Sequence, residues 1–229
     1  MIGIIKKILK VFADNDLWDS GVELIGSWCF QLYQRHYGVK EYPLRTVDID
    51  FLLPYPFKSK KQFDLIAALE PLGFRMEFNS DGSNYMWHPD IKIEFLAPER
   101  GRGSEHPKEI KGLAIKAIPL RYMDILLENP VKVIDDGVEV AIPSPAAFAA
   151  HKLLISRKRK NRGKKQKDLE QAVLTLEIVE SKELRRICNR FPGSWKKEML
   201  AALDDAKRLL PLRSELVDKE SIVLREGLA

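Results

Sequence analysis

The spacing of hydrophobic residues changes character along the chain. In residues 1–16 (MIGIIKKILKVFADND), Ile4, Ile5, Ile8, Leu9, Val11 and Phe12 fall at helical intervals among Lys6, Lys7 and Lys10. This predicts an amphipathic first helix rather than a signal peptide. A short apolar run, Val22 to Ile25, leads into Gly26-Ser27 and then a helix-like segment from Trp28 to about His36. Residues 46–53 (TVDIDFLL) alternate polar and apolar through Phe51 and end in Leu52-Leu53, which predicts a strand. Val47, Ile49 and Phe51 would face the core, and Asp48 and Asp50 would share the opposite face, because side chains two apart on a strand point the same way.

Further on, residues 59–72 (SKKQFDLIAALEPL) predict a helix with Phe63, Ile66, Ala67 and Leu69 near one face, stopped by Gly73. Three strand-like pieces follow at 74–78, 84–87 and 91–96, separated by turns at Ser80-Asp81-Gly82 and His88-Pro89-Asp90. In the third piece Ile91, Ile93 and Phe95 alternate with Lys92 and Glu94. Residues 98–112 are rich in Gly, Pro and charge and read as a loop. Strand-like pieces resume at 113–119, 122–127, 131–135 and 138–142, with Asp136-Gly137 marking a two-residue hairpin. Pro143-Ser144-Pro145 ends this region, with Ser144 as N-cap and Pro145 at the first helical position. Helical spacing then covers 145–159, 164–179, 182–190 and 194–210, followed by a tail. The expected architecture is α+β: a mixed sheet with helices over residues 1–143, then a helical bundle over 144–229.

Charge divides the chain at the same place. Residues 1–143 hold 18 Lys and Arg against 21 Asp and Glu, a net of −3, and residues 144–229 hold 20 against 12, a net of +8. Eight of the eleven residues from 157 to 167 are basic. That run reads either as a phosphate-contacting segment or as a solvated loop, and its lack of interleaved aromatics argues against base stacking on it. Cys29 and Cys188 stand apart from any Cys or His cluster, so zinc is not indicated, and Cys29 falls in an apolar segment that would bury it. No apolar run is long enough to span a bilayer. These features are those expected of a cytoplasmic protein.

The candidate chemistry lies between residues 22 and 53. Asp48 and Asp50 on one strand face repel each other unless a cation lies between them, and carboxylate oxygens suit Mg²⁺. A strand ending in Gly26 and entering a helix at Ser27 offers free N–H groups to a phosphate, with no side chain at Gly26 to hold the ligand away. Separately, each feature also has an ordinary reading, as an N-cap or as a solvated strand edge.

In this order and context, Ile25-Gly26-Ser27 and Asp48-Ile49-Asp50-Phe51, with Arg45-Thr46 leading in, resemble the signature of the DNA polymerase β-type nucleotidyltransferase superfamily. The segment after Pro143 and the basic run are similar to a bacterial subgroup with a C-terminal helical domain, which includes abortive-infection and toxin–antitoxin members. The resemblance implies a third carboxylate on a neighbouring strand. Glu94 is the candidate, and a cross-strand partner for a Lys or Arg is the alternative. It also implies a helix Lys facing the triphosphate. Lys152 matches that position, with an ordinary Lys lying along apolar surface as the alternative, and His151 beside it reads as structural. The implied activity is Mg²⁺-dependent transfer of NMP from an NTP, with release of pyrophosphate. Gly26, Ser27, Arg45 and Lys152 would contact the nucleotide, and Asp48, Asp50 and Glu94 would hold metal. The acceptor stays open among tRNA, a protein hydroxyl and a small molecule. An inactive nucleotide- or RNA-binding module of the same fold and a toxin–antitoxin component are the other readings.

Overall fold

The computed structural model describes residues 3–41, 46–59, 63–99 and 106–226. They form an α+β protein of two compact units. One comprises the described residues of 1–32 and 42–143, the other residues 33–41 and the described residues of 144–229.

The first unit begins with α1 (Gly3–Asp14), whose Ile5, Ile8, Leu9 and Phe12 are buried. β1 (Glu23–Ile25) runs directly into α2 (Gly26–His36). β2 (Asp48–Leu52) follows, then α3 (Leu65–Leu69), β3 (Arg75–Phe78), β4 (Asn84–Trp87) and β5 (Lys92–Pro98). β6 (Lys108–Ile110), β7 (Ile115–Leu120), α4 (Asp124–Leu127) and the hairpin of β8 (Pro130–Asp135) and β9 (Val138–Pro143) complete the unit. The main sheet has the order β1-β2-β5-β4-β3, and β7 also pairs with β5 and carries β6 on its other edge. β2 and β5 are parallel and β1 and β4 run against their neighbours, so the sheet is mixed.

The two faces of this sheet differ sharply. Leu24, Ile49, Phe51, Ile93 and Phe95 are buried on one face, where the Phe12 ring of α1 stacks on Phe51 at a centroid distance of 4.0 Å. That packing fixes β2 and β5 from behind and aims the intervening residues, Asp48, Asp50, Lys92 and Glu94, at the other face.

Several local expectations are revised. Val47 is 75% exposed rather than in the core, because the ladder starts only at Asp48. The helix expected over 59–72 is shortened: Asp64 caps it, its side chain accepting from the Ala67 N–H at 3.0 Å, and the buried residues are Leu65 and Leu69. Residues 60–62 of that expectation lie outside the described residues. Part of the expected 98–112 loop is ordered as β6 and a 3-10 turn at Lys111–Leu113. Residues 122–127, read as strand-like, instead contain α4, since Ile125 and Leu126 are buried side by side rather than alternating. The Asp136-Gly137 hairpin forms as expected, with φ of 51° and 78°.

The second unit holds α5 (Pro145–Ser156), α6 (Arg162–Leu176), α7 (Ser181–Cys188), α8 (Gly193–Leu209) and α9 (Ser214–Glu226). The Ser144 hydroxyl accepts from the Ala147 N–H at 3.3 Å, the N-cap expected ahead of Pro145. α5 is buried almost all round, so it is the central helix of this unit. Tyr33, on the last turns of α2, meets Phe148 edge-on at 5.1 Å. The segment read as a tail is mostly α9, which buries Val217, Val223 and Leu224.

Candidate active site

The parallel register of β2 and β5 places Asp48 beside Lys92 and Asp50 beside Glu94. Asp48, Asp50 and Glu94 each bring one carboxylate oxygen to within 4.8 Å of the others, and all three are half-buried. Three acids this close suit a divalent cation, and all-oxygen donors of this kind fit a hard one such as Mg²⁺. Asp48 is braced on two sides. Its backbone carbonyl accepts from Trp28 Nε1 of α2 at 3.0 Å, and its Oδ1 accepts from the Thr46 hydroxyl. Glu94 Oε1 accepts from Lys92 Nζ at 2.5 Å, a partner two residues back on its own strand rather than across the sheet.

Gly26 closes the other side of the group. Its φ is +69°, and a Cβ built there would lie 2.2 Å from Asp50 Oδ2. Only glycine allows both that backbone conformation and that approach. The first turn of α2 is thus pressed against the carboxylates, with Ser27, 9% exposed, next in sequence. An α-helix start beside a metal-type acidic group is an arrangement that can receive a polyphosphate and its counter-ion together.

Arg45 lies outside the described residues. Lys152 is buried in the helical unit, where its Nζ donates to Asp168 Oδ1 at 2.8 Å, while Arg159 Nε donates to Asp168 Oδ2 at 2.6 Å. Burial pushes the Asp168 carboxyl up, but the two cations outweigh it and its pKa lies below the usual value. His151 is buried with Nε2 unpartnered among the described residues, and burial, helped by Lys152, lowers its pKa to about 3. It stays neutral and structural. The basic run is mostly engaged with acids of its own unit: Arg157 and Lys165 meet Asp205 at 2.7 and 2.5 Å, and Lys158 meets Glu198 at 3.1 Å. It ties α5 and α6 to α8. Both cysteines are buried, and burial pushes the Cys188 thiol up to about 12.

Sequence reasoning missed two residues. Lys92 was read only as a polar strand position, although its i, i+2 relation to Glu94 was visible. Glu23 lies on the same sheet face as the acids, opposite Leu52 and beside the Ile25, Leu52, Leu96, Met123 and Leu126 cluster. It is 1% exposed, its Oε2 has no partner among the described residues, and burial raises its pKa to about 8. A Glu inside an apolar run was the available signal.

Residues 4–190 match the model of a family described as Nucleotidyltransferase. The chain belongs to that family and is an enzyme of the nucleotidyltransferase type. Among solved structures it is similar to an antigenic nucleotidyltransferase-like protein from Paracoccidioides brasiliensis, at a TM-score of 0.50 and 13% identity over 93% of both chains. That likeness is one of fold. It is also similar to the antibiotic-resistance factor ANT(2'')-Ia in solution (TM-score 0.47, 15% identity, 90% of this chain and 95% of that one). The crystal structure of ANT(2'')-Ia in complex with adenylyl-2''-tobramycin gives a TM-score of 0.46 at 15% identity, over 80% of this chain and 91% of that one. No curated protein sequence matches the chain significantly. Among the described residues, no helix is long and apolar enough to cross a membrane.

Proposed function

We propose that the enzyme moves NMP from an NTP to an acceptor hydroxyl with Mg²⁺ and releases pyrophosphate. The observation that supports this best is the convergence of Asp48, Asp50 and Glu94 around the helix start at Gly26. Asp48 and Asp50 would hold the metal with Glu94. When bound, Mg²⁺ supplies charge neutralisation on the transferring phosphate. The N–H groups at Gly26 and Ser27 hold the phosphates of the NTP. Glu94, one strand farther from α2 than Asp50, accepts the proton of the incoming hydroxyl. The hydroxyl oxygen bonds to the α-phosphorus, and the bond from that phosphorus to the bridging oxygen breaks.

Arg45 and Lys152 are assigned to phosphate neutralisation in the same proposal. The test is pyrophosphate release with Mg²⁺ and each of the four NTPs, offering RNA, protein and buffer in parallel. Release lost in Asp50→Asn supports the reading. Full release in Asp50→Asn overturns it.

A further inference from the structure

On the sheet face that carries the three acids, the ladder of β2 and β5 sets Lys92 beside Asp48 and Glu94 beside Asp50. Residues paired in a ladder share a face, so these four charged side chains form one two-by-two block. The Lys92 ammonium is held at two points. Its Nζ donates to Glu94 Oε1 at 2.5 Å and lies 4.1 Å from the ring centre of Tyr85, the β4 residue paired with Glu94. Lys92 and Glu94 are both half-buried. An ion pair open to solvent is worth little on its own, and the Tyr85 ring beside the ammonium adds a second hold. Arg75, on β3 and two strands from Glu94, is engaged apart from this block. It pairs with Glu77 at 3.0 Å and lies 4.3 Å from the Trp87 ring centre.

We infer that Lys92 is a positioning residue of this site: its ammonium is a built-in counter-ion that holds Glu94 and sets the charge of the acid group to match one divalent cation. The inference rests on the nucleotidyl-transfer reading above and adds a residue to it. The block sets three carboxylates against one ammonium, a net charge of −2. One divalent cation balances that charge, and a further one meets the Lys92 ammonium with no carboxylate left to offset it. A carboxylate has two oxygens, so Lys92 on Oε1 leaves Glu94 Oε2 able to accept. Lys92 thus repels each incoming cation while it fixes the acid that the cation needs. These two effects of removing it have opposite signs. Loss of the charge tightens cation binding, whereas loss of a group that only oriented Glu94 weakens it.

The test is calorimetric titration of nucleotide-free wild type, Lys92→Met, Lys92→Gln and Lys92→Arg with Mn²⁺ and, separately, with Tb³⁺. Thermal melts establish that each variant is folded, and Mg²⁺·NTP binding is followed in wild type and Asp50→Asn. The expected result is one Mn²⁺ per wild-type chain and about ten-fold tighter Mn²⁺ binding in the two neutral variants. For Tb³⁺ the expected gain is about thirty-fold, since the repulsion removed grows with the charge of the ion. Lys92→Arg, which keeps the charge, should bind both ions within about two-fold of wild type. Equal or weaker Mn²⁺ binding in Lys92→Met and Lys92→Gln, the same gain for both ions, or two Mn²⁺ on the wild-type chain overturns the inference. In that outcome, Mg²⁺·NTP binding that still depends on Asp50 leaves the nucleotidyl-transfer reading standing, whereas its independence of Asp50 removes that reading as well.

Discussion

Gly26 and Asp50 are locked together: any Cβ at residue 26 would sit 2.2 Å from Asp50 Oδ2. The helix that would hold phosphate and the strand that would hold metal therefore meet at a point where a side chain fits only if the Asp50 carboxylate moves. Gly26→Ala adds a left-handed strain of about 1 kcal/mol to this clash, and Asp50 must swing away. The expected outcome is a loss of pyrophosphate release of at least about a hundred-fold, with a lowering of the melting temperature by only a few degrees. Steady-state kinetics beside thermal melts would check it.

Neutralising either aspartate separates chemistry from stability. Asp48→Asn or Asp50→Asn should lower turnover by about a thousand-fold or more, corresponding to several kcal/mol of lost transition-state stabilisation. The same variants should melt at or above the wild-type temperature in metal-free buffer, because three carboxylates within 4.8 Å repel one another. A large drop in melting temperature would count against the repulsion.

Glu23 makes stability depend on pH. Its folded pKa of about 8 lies above the ordinary glutamate value of 4.5, so the folded chain keeps a proton that the unfolded chain releases. Stability contributed by this group is complete below about pH 4.5 and is lost as pH rises through 8, by on the order of 4 kcal/mol. Glu23→Gln should abolish that decline. His151 acts in the opposite sense, costing stability as pH falls from 6.5 toward 3, so the two effects offset each other between about 4.5 and 6.5. Urea midpoints of wild type and Glu23→Gln from pH 5 to 9 would show the Glu23 effect most plainly above 6.5.

Asp168 anchors two cations, the buried Lys152 and the exposed Arg159, at 2.8 and 2.6 Å. Asp168→Asn leaves the Lys152 charge without its counter-ion and should cost about 3 kcal/mol, read as a lowered urea midpoint. Adding Lys152→Met to that variant should recover much of the loss, since the stranded charge is then gone. Because the carboxylate pKa is depressed, this contribution is present above the unfolded value and falls away as pH drops through the folded one.

Local alternation was enough to place Asp48 and Asp50 on one face and to separate Glu94 from Ile93 and Phe95, because the two-residue repeat of a strand is a property of the backbone alone. Gly26-Ser27, the Asp136-Gly137 turn and the Ser144 cap were legible for the same reason: each depends on neighbours within a few residues. Strand pairing is not local. Only the parallel register of β2 with β5 brings Glu94 beside Asp50, and only the β4 and β3 ladders put Tyr85, Trp87 and Arg75 on that face. The basic run reads as open charge until Glu198 and Asp205, about forty residues away, are folded against it. Glu23 hides in an apolar strand because its burial is decided by what covers the sheet. The sequence by itself determined which residues could do chemistry and which way their backbones would turn them. The tertiary structure decided which of them meet, since distances between strands far apart in the chain depend on the packed core behind Asp50 rather than on any pattern within one strand.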